Sequence, residues 1–228
     1  MQEIIKLAKE TPAKVIFPEG EDPRILEAVR RIKEEGIAKP VLFLKEKEPA
    51  IAGVEAINPY EEEILDRYAL MYYELRKNKG VSMDSARKLL LENPVFTAAL
   101  MVRDGVADAF IAGASHTTKD VAKAVIYCIG VKESKSTISS CFIIDTGRES
   151  FGYKGKFIFA DCGVIVSPTE EQLAEIAIEA GDLFRRIFKV EPYIAFLSYS
   201  TKGSAGGESV DRIRKALEIV KGKRPDLK

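Results

Sequence analysis

The chain has 228 residues, 46% of them hydrophobic, enough for one large core or one and a half ordinary ones. Lys plus Arg and Asp plus Glu number 35 each, so the formal net charge is zero. That excludes a general electrostatic field for nucleic acid or an anionic membrane. Cys128, Cys141 and Cys162 are too widely spaced for a C-x-x-C pair, and there is one His, which nearly excludes a Cys/His zinc site. So sparse a cysteine set fits a reducing, cytoplasmic setting.

The first fourteen residues, MQEIIKLAKETPAK, scatter charge and contain no apolar leader core. No apolar run anywhere approaches the roughly 18 residues of a membrane span. Residues 14–17, KVIF, read as a strand that ends at Pro18 and Gly20. Asp22-Pro23 then opens a helix, with Asp capping free amides and Pro pre-set at the first helical position. The same device is expected at Asn58-Pro59, Asn93-Pro94 and Ser167-Pro168. Glu61 and Glu170, three residues after two of these caps, resemble capping boxes.

A strand is expected at 41–44, then a helix from Tyr60 to about Lys77 with Ile64, Tyr68, Met71 and Leu75 in a stripe. Further strands are expected at 107–112, 139–144, 156–160 and 193–197. A helix from Thr169 carries Leu173, Ile176, Ala177, Ala180, Phe184 and Ile187 on its apolar face. Several of these strands are continuously apolar, as in sheets buried on both faces. Alternating strands and helices predict the α/β class, an αβα sandwich around a mostly parallel sheet. The polar, glycine-rich stretch 145–155 is either a domain boundary, dividing the chain into residues 1–145 and 146–228, or a hairpin loop within one sheet.

Three segments carry candidate chemistry. In AGASHTTKDVAK, residues 112–123, an apolar strand meets a small-residue loop and a helix. Free amides and the hydroxyls of Thr117 and Thr118 suit a phosphate there, with Lys123 adding charge. The plainer reading, a turn with Thr117 as an ordinary cap, is favoured by the local sequence alone. His116, in the same loop, reads as a hydrogen-bonded residue rather than a base, because no partner is evident.

In SYSTKGSAGGES, residues 198–209, Ser200, Thr201, Lys202, Gly203 and Ser204 form a dense polar cluster before a helix. It matches neither nucleotide fingerprint: Lys202 precedes Gly203, and Gly203, Gly206 and Gly207 have the wrong spacing. Ligand contact and a plain flexible loop are equally supported there. In FPEGEDPR, Glu19, Glu21 and Asp22 hint at a metal, but Asp22 is spent as a cap and hard cations need more convergent oxygens. Arg76, Lys77 and Lys79 close a helix, where cations complement its C-terminus.

Taken together, five segments in chain order resemble the phosphate acetyltransferase family. They are FPEGEDPRILEAV, NPVFTAALMVRDGVADAFIAGASHTT, FIFADCGVIVSPTEEQLAEIAI, EPYIAFLSYSTKGSA and RPDL. The resemblance implies reversible transfer of acetyl between coenzyme A and inorganic phosphate. The expected partners are small molecules, acetyl-CoA, phosphate and acetyl phosphate, with no bound cofactor, no metal, no nucleic acid and no membrane. It implies an isocitrate dehydrogenase-like two-domain architecture with a cleft, and a homodimer. It places Thr117 and Thr118 at the substrate phosphate, and Ser200, Thr201, Lys202, Gly203 and Ser204 on a second ligand-facing loop. It places Arg76 near an arginine that binds coenzyme A.

Two departures stand out. Lys123-Ala124 stands where the family commonly has Arg-Pro, which keeps the charge but loses the bidentate fork. The chain also ends soon after RPDL, whereas the resemblance implies a further strand, a Ser-Arg-Gly motif and a thiol-deprotonating Asp beyond Lys228. No catalytic residue is therefore expected within the chain. An exposed apolar face, with poor stability alone or completion by another chain, is expected instead. Phosphate butyryl transfer, and acyl-CoA binding without turnover, are the alternatives. A nicotinamide-dependent dehydrogenase is disfavoured, because the dinucleotide fingerprint is absent.

Overall fold

The computed structural model describes residues 2–46, 50–131, 138–201 and 203–228. The chain divides into two compact units, residues 2–130 and 131–228. The division expected at 145/146 falls inside the second of these.

The first unit is built on a parallel sheet. Helix α1 (Gln2–Glu10) leads into β1 (Ala13–Phe17), which pairs in parallel with β2 (Ala38–Phe43) and with β4 (Ala109–Phe110). Strand β3 (Glu55–Ile57) adds to β2, so the order is β3-β2-β1-β4. The expected strand at 107–112 shrinks to the two residues of β4, at the sheet edge beside β1.

Side chains alternate across the two central strands, and both faces are covered. Val15 and Phe17 of β1 pack with Leu42 of β2 and Val29 of α2 (Pro23–Glu35). Ile16, Val41 and Phe43 point to the other face, against α3 (Glu62–Arg76), α4 (Met83–Glu92) and α5 (Pro94–Arg103). Burial on both faces is why these strands read as unbroken apolar runs. It also makes the unit a layered αβα arrangement.

The helix starts follow the expected chemistry at two of four places. Asp22 caps α2 by accepting from the Arg24 amide, and Asn93 caps α5 by accepting from the Val95 amide, each with Pro next in line. At Asn58-Pro59 the side chain instead accepts from the Tyr60 amide in a turn, and α3 begins later, at Glu62. Ser167 is likewise not a cap. Thr169 caps α7 (Glu170–Phe188) in a reciprocal box with Gln172, and Arg212 reaches the Ser167 hydroxyl. Asn58 makes the same contact with the amide two residues on as Asp22 and Asn93 do, but there it closes a turn; Ser167 is engaged by a residue 45 positions away, which local sequence does not reveal.

Gly20 follows β1 where the chain passes the end of β2. A Cβ there would lie 2.3 Å from the Phe43 carbonyl oxygen, so only glycine permits the approach.

In the second unit, β5 (Cys141–Asp145) and β6 (Lys156–Ala160) pair antiparallel, and residues 146–155 form their hairpin loop. Helix α7 packs Ala174, Ala177 and Ile178 against Ala216 and Val220 of α8 (Glu208–Lys223). Tyr153 of the hairpin loop meets Phe184 edge-on and Phe188 at a tilt, both on α7. Arg224 holds Asp182 and Asp226, tying the C-terminal RPDL segment to α7. The strand expected at 193–197 does not form. That stretch finds no ladder among the described residues, and Tyr193 and Leu197 are each 82% exposed. Phe142 and Phe159 on the hairpin are also exposed.

Thr97 lies wholly buried on α5, and its hydroxyl has no hydrogen-bond partner among the described residues. An unpaired buried hydroxyl is destabilising relative to a methyl group of the same shape. Thr97→Val is therefore expected to stabilise by about 1 kcal/mol. Urea unfolding checks this: the midpoint rises with an unchanged slope, whereas a lower midpoint contradicts it.

Candidate functional site

The loop after β4 contains the first candidate residues, and its geometry is set by a carboxylate from elsewhere. Glu19 stands just beyond β1, and its side chain is 1% exposed. Its Oε2 accepts from the amides of Gly113 and Ala114 at 2.9 and 2.8 Å. Its Oε1 accepts from the amides of Ser115 and His116 at 2.7 and 2.8 Å, and from the Ser115 hydroxyl at 3.0 Å. The His116 ring completes the set, with Nδ1 at 2.9 Å from Oε1.

Burial by itself would raise the Glu19 pKa. The Ser115 amide, the His116 ring and the neighbouring amides outweigh it and hold the carboxyl at about 2, against an ordinary 4.5. An ionised carboxylate only accepts, so Nδ1 of His116 carries a proton and donates to it. Arg24, paired with Asp22, also donates to the Ala114 carbonyl, so two residues after β1 clamp the loop.

This corrects one expectation. The amides of residues 113–116 are not free for a phosphate; they are satisfied by Glu19. Of the phosphate-facing groups named from sequence in this segment, the Thr118 hydroxyl and the Lys123 ammonium remain, both on exposed residues. Thr117 caps α6 (Thr118–Ala124), accepting from the Asp120 amide and donating to the Asp120 carboxylate at 2.7 Å. The plain cap is therefore present. His116 is a hydrogen-bonded loop residue, with Glu19 as the partner that its sequence neighbours did not disclose.

A depression of about 270 Å³ lies at the carboxyl ends of β1 and β2, beside Ser115 and His116. Glu21, Asp22 and Glu92 line it against Lys45. With Glu19 also in the lining, four carboxylates against one ammonium make a poor host for phosphate. The acidic trio considered as a metal site is dispersed: Glu19 faces the loop, Asp22 faces Arg24, and Glu21 sits 3.8 Å from Lys45. Among the described residues no cluster of three His, Cys, Asp or Glu side chains is placed to hold a metal.

The second candidate loop lies before α8 and is stitched to itself. The Ser200 hydroxyl donates to the Ala205 carbonyl and accepts from the Ala205 amide. The Thr201 amide donates to the Ser204 hydroxyl, and Gly203 takes φ +84°, a left-handed turn. Lys202 lies outside the described residues. Arg76, at the end of α3, stacks on the Tyr127 ring with its guanidinium carbon 4.1 Å from the centroid. That contact occupies one face of the guanidinium.

A third structured loop was not singled out by sequence reasoning. Asp161, after β6, accepts from the Ser140 amide and hydroxyl and from the amides of Val164 and Ile165. Burial opposes its charge, but these donors hold it well below the usual carboxylate range. The only sequence signal was an acid between small residues at a strand end.

A parallel sheet with polar loops at its strands' carboxyl ends defines an open α/β small-ligand protein. The family model of phosphate acetyl/butaryl transferase matches residues 1–228, and the chain belongs to that family. Among relatives, the phosphate acetyltransferase of Thermoanaerobacterium thermosaccharolyticum is 38% identical, covering 100% of this chain and 71% of its own length. That of Clostridium acetobutylicum is 36% identical, with the same coverage of each chain. The crystal structure of a phosphotransacetylase from Streptococcus pyogenes superposes with a TM-score of 0.86 at 32% identity, covering 100% of this chain and 71% of its own.

Because the Glu19 pKa is depressed on folding, its contribution to stability is full above about 4.5 and is lost as pH falls towards about 2. The stability gap between the wild type and Glu19→Gln is therefore expected to narrow across that window. Urea unfolding at stepped pH measures it; a gap that stays constant would sink the assignment.

Proposed function

We propose that this chain serves reversible acyl transfer, acetyl-CoA plus phosphate giving acetyl phosphate plus CoA. The observation that carries the reading is the family match over residues 1–228. In the direction of thioester synthesis, the CoA thiol loses its proton and attacks the acetyl carbonyl. The carbon–sulfur bond forms, the carbon–oxygen bond to phosphate breaks, and phosphate departs with the electron pair. Charge growing on the carbonyl oxygen and on the leaving phosphate calls for fixed donors.

We assign Thr117, Thr118 and Lys123 to the phosphate-bearing substrate, together with Ser200, Thr201, Lys202, Gly203 and Ser204. Arg76 is assigned to coenzyme A. These residues bind and orient; the proton-abstracting role is assigned to none of them. The proposed setting is cytoplasmic, the assembly a homodimer, and the two units are proposed to belong to an isocitrate dehydrogenase-like two-domain architecture. Among the described residues no helix is long and apolar enough to cross a membrane. The family description spans acetyl and longer acyl transfer, so butyryl transfer is the second reading.

The test is thioester formation from CoA with acetyl phosphate or butyryl phosphate, using this chain and a version carrying the additional length of its relatives. Acetyl transfer by either form is the expected result, and coenzyme A binding without turnover in both would overturn it. Lys123 is exposed and contributes charge without a bidentate fork. Lys123→Ala is expected to raise the KM for acetyl phosphate roughly tenfold, the equivalent of one modest ionic contact. An unchanged KM would remove Lys123 from the site.

A further inference from the structure

We propose that Glu19 is the resident anion of a backbone nest formed by residues 113–116, and that its hold on this nest positions Thr117, Thr118 and the His116 ring. Four consecutive amides converge on one carboxylate, joined by a hydroxyl and an imidazole N–H. Consecutive inward-turned amides are the geometry by which loops bind anionic ligands. Gly113, at φ +122°, supplies the backbone freedom that starts the turn. Here the anion is covalently part of the protein, delivered from 94 to 97 positions away in sequence.

Packing alone does not require a charge at this position. A buried carboxylate is costly to dehydrate, and a neutral side chain of similar size would fill the space without that cost. What the charge adds is direction: every donor in the loop points to the same two oxygens. The loop's exit then leads directly into Thr117, the cap of α6, and the His116 ring is held through Nδ1. The consequence for turnover rests on the acyl-transfer reading; the nest itself does not.

The experiment uses the full chain. Glu19→Ala empties the nest, and formate is the probe that can refill it. The variant is expected to melt lower than the wild type, and formate, against chloride at equal ionic strength, to raise its Tm in a saturable manner while leaving the wild type unmoved. Glu19→Gln, isosteric but carrying a donor that faces donors, is expected to fall short of the wild type. Equal formate responses in the variant and the wild type, or a Gln variant matching the wild type, would overturn the proposal.

Should the Ala variant fail to fold, hydrogen exchange of residues 113–116 in the wild type and the Gln variant decides. Lost protection in the variant supports the nest, and equal protection refutes it. In the transfer assay, Glu19→Ala is expected to raise the KM for acetyl phosphate by about tenfold or more, with formate lowering it again. Formate rescue of melting alongside an inactive wild type would defeat the transfer reading and uphold the nest.

Discussion

A carboxylate withdrawn from water must be met by donors, and Glu19 is met by an entire loop. That single constraint joins two segments nearly a hundred residues apart. Strand β1 delivers Glu19 because both of its faces are packed, one against α2 and the other against α3, α4 and α5. The sheet brings β4 alongside β1, and the loop after β4 therefore reaches the same end. The site depends on this order: apolar burial first, then the carboxylate, then the loop, then the cap of α6.

The same solution recurs in the second unit with different residues. Asp161 follows β6 as Glu19 follows β1, and it gathers backbone amides from Ser140 and from Val164 and Ile165. In both units an acid at a strand's end organises a loop through directed hydrogen bonds, although the loop after β6 carries the apolar run Val164, Ile165 and Val166. Residues 198–201 and 203–207 are held differently, through hydroxyl contacts to carbonyls and amides of the same stretch.

Much of the fold was legible from local pattern. Unbroken apolar runs announced β1 and β2, and Asp22-Pro23 and Asn93-Pro94 announced α2 and α5, because capping and proline geometry act within a few residues. Where pattern misled, a distant partner was the cause. Residues 193–197 are as apolar as a strand, but a strand exists only when a neighbour supplies its ladder. Ser167 had a cap's sequence, yet Arg212 engages it and Thr169 does the capping. His116 has no evident partner among its sequence neighbours, and the structure supplies Glu19, one of three acids that in sequence alone hint at a metal.

Local pattern in the sequence sufficed for the α/β class, for the parallel strands buried on both faces, and for the family to which the chain belongs. These follow from short-range periodicity and from ordered motifs, which need no knowledge of distance in space. Folding in three dimensions was needed to show that the amides of residues 113–116 are occupied, that Glu19 and Asp161 organise loops, and that residues 146–155 turn a hairpin. Each of those facts is a contact between segments separated in sequence, and a hydrogen bond leaves its mark on the residue types at both ends but not on which two ends will meet.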